Sequence, residues 1–328
     1  MTEFKELNEN QLKQITNSDQ LYRAYIQARQ RQVAHAGSMI WRSQNGKDYL
    51  VKTSARGNQT GMGPRNAKTE AIFGQFMRAK EGAHQNWLGT LAALKEAVAI
   101  NRVYGAGRTP NLIVEILSAL GEQGLGEHFM IIGTNALYAY ETHCGVRFED
   151  KITATADLDM LWDSRKSIQI AVTENIKEHG FLGILKKADK SFELLEDQRY
   201  TAINQTGFMV DLLHSGNRKR KPESLQLFKN PDDFWAVEAP NIDWLLSAPK
   251  FTQTVISANG KFARMVTVDP RAFVIYKNWL SQRVDRDPTK KPRDLVQSKA
   301  VALLLEEYMP HFPTNGINHF PKAIRLDL

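Results

Sequence analysis

The 328-residue chain has no long hydrophobic run and almost no cysteine. No apolar stretch approaches the roughly 20 residues that a membrane-spanning helix needs, and the N-terminal residues lack the apolar core of a signal peptide. Cys144 is the single cysteine, so an internal disulfide is impossible. Cysteine-poor chains without targeting segments are typical of reducing compartments. We therefore expect a cytoplasmic protein that does not bind membranes.

Two familiar signatures of chemistry are also missing. The glycine-rich segment 55–65 is not followed by Gly-Lys-Ser/Thr, so it does not match a phosphate-binding loop. The adjacent His143 and Cys144 lack partners at the spacing of a zinc site. Segment 55–65 is predicted to be a linker, and the alternative is a lid whose Arg56 and Arg65 contact a phosphate.

Positive charge is in excess. The formal charge of +7 and the pI near 9.3 indicate a polyanionic partner. Residues 22–56 carry seven basic side chains and one acid, and residues 261–299 carry ten basic side chains against four aspartates. Such clusters raise the affinity for phosphate backbones and nucleotides. The alternative is that they are solvated faces that keep the protein soluble.

Apolar periodicity predicts a mainly helical region followed by mixed elements. In residues 1–125 we expect a hairpin at 39–52 around Asn45-Gly46, with helices at 9–35 (interrupted near 17–19), 68–80, 87–103 and 112–121. In residues 126–240 we expect strands at 128–132, 156–162, 192–196, 199–203 and 207–213, with helices at 134–142 and 167–179. In residues 241–328 we expect a hairpin at 251–256 and 261–268, with helices at 270–282 and 292–308. The fold class is α+β, with a mixed sheet flanked by helices.

Three acidic residues interrupt otherwise apolar strands. Asp157 and Asp159 are two positions apart in the strand 156–162, so their side chains share one face while Leu158 points to the core. Asp211 interrupts a second apolar run. If the two strands are neighbours, the three carboxylates meet. Their mutual repulsion is best relieved by a hard divalent cation.

A strand that ends in small residues precedes these acids. Residues 128–132 are followed by Gly133 and Thr134 and then by a helical pattern. Backbone N–H groups at the start of a helix attract anions, so this bend can hold phosphate groups. The bend and the carboxylates together predict a site for a metal-bound triphosphate.

This order of motifs resembles the DNA polymerase beta-type nucleotidyltransferase superfamily and, within it, the bacterial AbiEii-type and related nucleotidyltransferase-like proteins. The superfamily pattern is a Gly-Ser or Gly-Gly turn, an Asp-x-Asp strand, and a third aspartate on a later strand. The AbiEii-type group adds a lysine on a helix and an aspartate on the next helix, which Lys277 and Asp294 match here. Thr134 replaces the usual serine, and the 24 residues from Gly133 to Asp157 exceed the usual spacing.

The resemblance implies how the nucleotide is bound. Gly133, Thr134 and Asn135 would hold the phosphates of a nucleoside triphosphate (NTP). Lys277 would contact the triphosphate as a mobile charge. Asp294 would orient either the lysine or the acceptor.

The resemblance also implies a metal-dependent reaction. Asp157 and Asp159 would bind two Mg²⁺ or Mn²⁺ ions. Asp211 would bind the catalytic ion and help deprotonate the acceptor hydroxyl. The enzyme would move a nucleoside monophosphate from an NTP to an acceptor hydroxyl and release pyrophosphate.

RNA is the preferred acceptor because of the positive charge, with the 3′ end of a tRNA as the example set by AbiEii-like toxins. A short basic run after the third acid would grip the RNA backbone: Arg218, Lys219, Arg220 and Lys221. An antitoxin is then a possible partner. Two alternatives stay open, namely nucleotidylation of a protein side chain and an inactive nucleic-acid-binding module with the same fold.

Overall fold

The computed structural model describes residues 4–55, 57–163, 174–214, 233–239 and 241–312, and for 174–179 the backbone only. Within these ranges the chain forms two compact units. We call them the small unit (Thr16–Ala99) and the large unit (Met1–Ile15 with Ile100–Leu328). No helix in the described ranges is long and apolar enough to cross a lipid bilayer.

In chain order, the described residues form β1 (Lys5–Glu6), α1 (Glu9–Ala34), β2 (Ser38–Gln44), β3 (Lys47–Thr53), β4 (Gln59–Pro64), α2 (Ala67–Tyr104), α3 (Asn111–Glu122), β5 (Phe129–Ile132), a 3₁₀-helix (Gly133–Ala136), α4 (Leu137–Cys144), β6 (Val146–Arg147), α5 (Asp150–Thr153), β7 (Asp157–Trp162), α6 (Glu174–Ala188), β8 (Glu193–Leu195), β9 (Gln198–Ile203), β10 (Met209–His214), β11 (Val237–Glu238), α7 (Asp243–Ser247), β12 (Lys250–Ile256), β13 (Phe262–Val268), α8 (Pro270–Gln282) and α9 (Lys291–Tyr308).

The small unit contains an antiparallel sheet in the order β2-β3-β4. Asn45 and Gly46 both have positive φ at the tip of the β2–β3 hairpin, which confirms the hairpin predicted there. One face of the sheet packs on α2: the rings of Trp41 and Phe73 lie 5.8 Å apart, and Leu50 is fully buried. This contact holds the sheet to the helix through apolar burial.

Two predictions for the small unit were wrong. The segment 55–65 is not simply a linker, because residues 59–64 form β4 and pair with β3. Glycine is unfavourable within a strand. However, the edge of β3 that is not paired with β2 has backbone N–H and C=O groups that need partners, and β4 supplies them. The predicted breaks in the helices are also absent: α1 continues through 17–19 and α2 through 81–86. Local cap and glycine signals cost only about 1 kcal/mol each, which packing readily outweighs.

The large unit is organised around one mixed sheet. Its strand order is β12-β13-β5-β7-β10-β9-β8, with β11 beside the end of β10. The pairs β13–β5, β7–β10 and β10–β11 are parallel and the others are antiparallel. Helix α3 packs against β13, α4 against β12, and α8 against α9. The predicted α+β class, with a mixed sheet flanked by helices, is confirmed.

Most strands of the large sheet lie within two residues of their predicted positions, and α8 has the predicted bounds. The helix predicted at 167–179 differs, because the described helix α6 extends to Ala188 and residues 164–173 are outside the described residues. Gly180 interrupts α6 with φ of 63°. The carboxylate of Asp233 then accepts the N–H groups of Phe181 (2.7 Å) and Leu182 (3.0 Å). A cap supplied from 52 residues away cannot be read from local sequence.

Candidate active site

The three acids of the two apolar strands share one face of the large sheet. Strands β7 and β10 are parallel neighbours, and Asp211 lies directly opposite Asp159 in the register. Asp157 is two residues earlier in β7, so its side chain points to the same side. Neighbouring strands are about 4.8 Å apart, which brings the carboxylates within strong Coulomb range of one another.

Gly133 forms the bend beside these acids. Its predecessor Ile132 lies opposite Asp159 in the antiparallel pair of β5 and β7. Gly133 has φ of 67°, and a Cβ at this position would overlap the Asp159 carboxylate. Only glycine therefore lets the backbone turn so close to the acid.

The electrostatics of the acids reflect burial and crowding. Burial raises the pKa of Asp159 to about 6, and the charges of Asp157 and Asp211 push it in the same direction. Lys277 and Lys290 oppose this rise only in part. Burial also raises the pKa of Asp211, with the Thr201 hydroxyl opposing and Asp157 adding to the effect. Two of the three carboxylates are thus held in an environment that disfavours their negative charge.

This crowding predicts a pH-dependent stability in chelator-containing buffer. The pKa of Asp159 is higher in the folded protein than in the unfolded chain, so its protonated form favours folding. That contribution, up to about 3 kcal/mol, is complete below the unfolded pKa and is lost as the pH rises through about 6. We expect urea unfolding to show Asp159→Asn gaining stability over wild type between pH 4 and pH 7. Equal stability of the two proteins at pH 7 would contradict this assignment.

The residues that follow Gly133 turn their side chains inward. Thr134 and Asn135 are buried. The Thr134 hydroxyl accepts a hydrogen bond from the Gln297 amide (3.1 Å), which also donates to the Ile152 carbonyl (2.8 Å). The Asn135 amide donates to the Asp157 carbonyl (2.6 Å). These hydrogen bonds fix the Thr134 and Asn135 side chains against β7 and α9. The backbone is therefore the part of the bend that lies nearest the acids.

Lys277 and Asp294 form a buried ion pair between α8 and α9. The Lys277 Nζ and an Asp294 carboxylate oxygen lie 2.6 Å apart, and Arg286 Nε contacts the other oxygen at 2.8 Å. Burial alone would raise the pKa of Asp294, but Lys277 and Arg286 hold it below its ordinary value. Burial lowers the pKa of Lys277, although Asp294 and Asp159 partly restore it. Asp294 therefore fixes the position of the ammonium group near the acidic face.

A cavity of about 230 Å³ adjoins the acids. Gly133, Asp159 and Lys277 contribute to its lining. Ile132 and the apolar and charged side chains of later elements complete it: Leu213, Ala239, Ile242, Leu245, Val268, Phe273, Tyr276, Leu280, Arg283, Asp285 and Arg286. A mostly apolar wall with a few charged groups is the usual composition of a small-molecule pocket, and this volume suits part of a nucleotide.

The donor set of the acidic face fits a hard divalent cation. Among the described residues, no three His, Cys, Asp or Glu side chains already enclose a metal-sized space. Asp157 accepts a hydrogen bond from the Thr155 hydroxyl, and Asp211 accepts one from Thr201 (2.5 Å). Three carboxylates crowded on one face are nevertheless the ligands that Mg²⁺ and Mn²⁺ prefer.

Some residues near the site were not singled out by sequence, and one predicted group cannot be placed. Lys290, Arg286 and Gln297 lie near the acids or their supporting residues. The basic cluster at 261–299 pointed to Lys290 and Arg286. Nothing in the sequence distinguishes Gln297 from any other glutamine within a helix. The basic run proposed to grip the acceptor lies outside the described residues: Arg218, Lys219, Arg220 and Lys221.

Comparison with known proteins identifies a family. A family model described as nucleotidyltransferase matches residues 111–318, which include every predicted catalytic and nucleotide-binding position. No curated protein and no solved structure matches the chain. The family match covers more than half of the chain and contains the acidic face, the Gly133 bend and Lys277. The chain therefore belongs to a family of nucleotidyltransferases.

Proposed function

We propose that this nucleotidyltransferase uses two Mg²⁺ or Mn²⁺ ions to move a nucleoside monophosphate from an NTP to a hydroxyl of RNA, with the 3′ end of a tRNA as the preferred acceptor. The observation that carries the proposal is the convergence of Asp157, Asp159 and Asp211 on one face, beside the Gly133 bend. Nucleotidyl transfer builds up negative charge on the reacting phosphate. Metal ions held by the acids, together with the backbone N–H groups of the bend, would balance that charge.

The nucleotide would lie between the bend and the cavity. The backbone at Gly133 would approach the phosphates, and the apolar wall of the cavity would bury part of the nucleoside. The Lys277 ammonium has three protons, and its bond to Asp294 uses one of them. The remaining two are available to oxygens of the triphosphate. Asp294 would thus act as a positioning residue for Lys277.

The acids would hold the metal ions and manage the proton. Asp157 and Asp159 would bind both ions, and Asp211 one. When bound, such ions lower the pKa of the acceptor hydroxyl and neutralise charge on the leaving pyrophosphate. The acceptor oxygen forms a new bond to the α-phosphorus as the bond to the bridging α–β oxygen breaks. Asp211, whose pKa burial raises, would accept the proton of the hydroxyl.

An RNA acceptor is supported by the positive charge of the chain. The AbiEii-type resemblance extends the proposal to a toxic activity restrained by an antitoxin. Expression of the wild-type protein in a bacterial host should then arrest growth, and this arrest should require an intact Asp159. Arrest by an Asp159→Asn variant would contradict this extension.

Thermal unfolding tests nucleotide binding. We expect an NTP to raise the unfolding temperature only when Mg²⁺ or Mn²⁺ is present, because the triphosphate and the acids repel each other without a cation between them. The effect should vanish in Asp159→Ala and persist in Asp197→Asn, a change at an exposed site between β8 and β9. Equal stabilisation without metal would contradict a metal-bound triphosphate.

Labelling tests the acceptor. Wild-type protein incubated with an NTP labelled at the α-phosphate and with total RNA or lysate protein should label RNA, and Asp159→Asn should not. Label recovered in protein alone would replace the RNA proposal by protein nucleotidylation. Label in neither fraction, with RNA bound all the same, would indicate the inactive binding module.

A further inference from the structure

The net positive charge of the chain is confined to the small unit. Its residues, Thr16–Ala99, contain twelve Lys and Arg against five Asp and Glu, a net charge of +7. The large unit contains 31 basic and 31 acidic residues, so it is formally neutral. The family match at 111–318 lies wholly outside the small unit. The charge that points to a polyanion therefore belongs to a unit that supplies none of the acids of the candidate active site.

Ion pairing within the small unit leaves much of this positive charge exposed. Arg23 pairs with Asp19 (2.7 Å), while Arg65 pairs with Glu70 (2.9 Å) and Asp48 (3.4 Å). Three of the five acids are thus taken up by two arginines. Seven exposed basic residues of the small unit form no ion pair within the described part of the chain: Arg31, Arg42, Lys47, Lys52, Lys68, Arg78 and Lys95. Unpaired surface charges remain available to a partner's phosphates.

One face of the small sheet combines such charges with groups that can stack. Arg42 and Tyr49 are opposite each other in the β2–β3 register, and Lys47 lies on the same face, two residues before Tyr49. Ile40 on this face is 45% exposed, and Tyr49 is half-buried. The opposite face, with Trp41, packs on α2. Val51 on the same face is buried, so the exposed part is the hairpin end with Arg42 and Lys47. Basic side chains beside an aromatic ring suit single-stranded nucleic acid, whose bases stack while its phosphates are neutralised.

We propose that the small unit binds the RNA acceptor through the sheet face of Arg42, Lys47 and Tyr49. Lys68 and Arg78 belong to α2, which packs on the opposite face of the sheet, and they add to the positive field of the unit. The large unit then supplies the transfer chemistry. The purpose of the binding rests on the proposed function, but the binding itself can be measured without catalysis. RNA is favoured over an acidic protein or an anionic membrane because the face has an aromatic and an apolar side chain between its charges. In RNA, bases that can stack on these groups alternate with phosphates that can pair with the charges.

The test measures binding of a labelled single-stranded oligoribonucleotide of mixed sequence to the full chain at several KCl concentrations. The first variant replaces four of these exposed basic residues by glutamine: Arg42, Lys47, Lys68 and Arg78. We expect its affinity to fall at least about tenfold, and the salt dependence of binding to weaken by about 0.7 for each lost phosphate contact. Tyr49→Leu should weaken binding about fivefold or more with an unchanged salt dependence, because it removes a stack and no charge.

The matched control removes the same charge from the large unit. It replaces four exposed lysines by glutamine: Lys186, Lys187, Lys190 and Lys299. We expect RNA affinity to change less than in the first variant. A third variant, Arg42→Lys with Arg78→Lys, keeps the charge and should keep the salt dependence. Circular dichroism of each variant checks that the protein is folded.

The outcomes separate this proposal from the proposed function. Equal loss of affinity in the first variant and the control, or no loss in either, would overturn RNA binding by the small unit. Preferential binding of polyglutamate or of anionic vesicles over RNA would also overturn it. Asp159→Asn should bind RNA normally while failing to label it. If the small-unit variants still bind RNA fully and label it, the transferase assignment stands and the binding surface lies elsewhere.

Discussion

Replacing Asp159 by asparagine is expected to lower nucleotidyl transfer by at least about a thousandfold, equivalent to about 4 kcal/mol of transition-state stabilisation. Asp159 is the central acid of the three. It faces Asp211 across the strand pair, adjoins Gly133 at the bend and lines the cavity. Asparagine keeps the shape of the side chain but removes the charge that would hold a cation. The loss should therefore appear in the chemical step.

The measurement is the initial rate of label transfer at saturating NTP and metal, since a loss in kcat distinguishes chemistry from binding. Asp197→Asn removes an exposed carboxylate of the same type and should leave the rate unchanged. Asp211→Asn should cost a similar factor, whereas Asp159→Asn with a near-normal rate would show that the reaction takes place elsewhere. Urea unfolding of Asp159→Asn at the assay pH, expected to show a protein at least as stable as wild type, checks that the loss of activity does not come from unfolding.

Replacing Asp294 by leucine is expected to destabilise the protein by about 3–5 kcal/mol, the usual cost of removing one partner from a buried ion pair. Asp294 is fully buried and its two oxygens are bonded to Lys277 and Arg286. Without it, the buried Lys277 must either carry an uncompensated charge or lose its proton, and burial already lowers its pKa. Either outcome costs stability in the folded state.

A double-mutant cycle separates this pair from simple packing loss. Lys277→Met should cost less than Asp294→Leu, because Asp294 keeps its contact with Arg286. Combining the two changes removes both buried charges and should recover part of the stability, as measured by urea unfolding. Strictly additive losses would show that the two side chains are not coupled. Activity should be lost in all three variants, because none presents a fixed ammonium group to the triphosphate.

The local sequence was sufficient for most of the large sheet. Strands such as β7 and β10 are short apolar runs bounded by polar residues, and α8 begins at Pro270 after the Asp269 cap. These features depend on residues that are close together in the chain, so the local sequence predicts the elements. In the same way, the two-residue spacing of Asp157 and Asp159 places both on one face of any strand that contains them.

Features that depend on distant partners were not readable. The continuous helices α1 and α2 override local break signals, and the glycine-rich strand β4 forms because β3 lies next to it. The restart of α6 at Phe181 depends on Asp233. In each case the decisive contact joins residues that lie apart in the sequence. Neither composition nor periodicity indicates that these residues meet.

The amino-acid sequence by itself determined which residues carry charge, which face each acid takes within its strand, and that a glycine lies at the bend after β5. Only the tertiary structure decided that β7 and β10 are parallel neighbours, so that Asp211 meets Asp159, and that Asp294 rather than solvent balances Lys277. It also decided that the excess positive charge belongs to a separate compact unit. The physical reason is range: side-chain direction follows from adjacent backbone dihedrals, whereas strand pairing and ion pairing follow from the packing of the whole core.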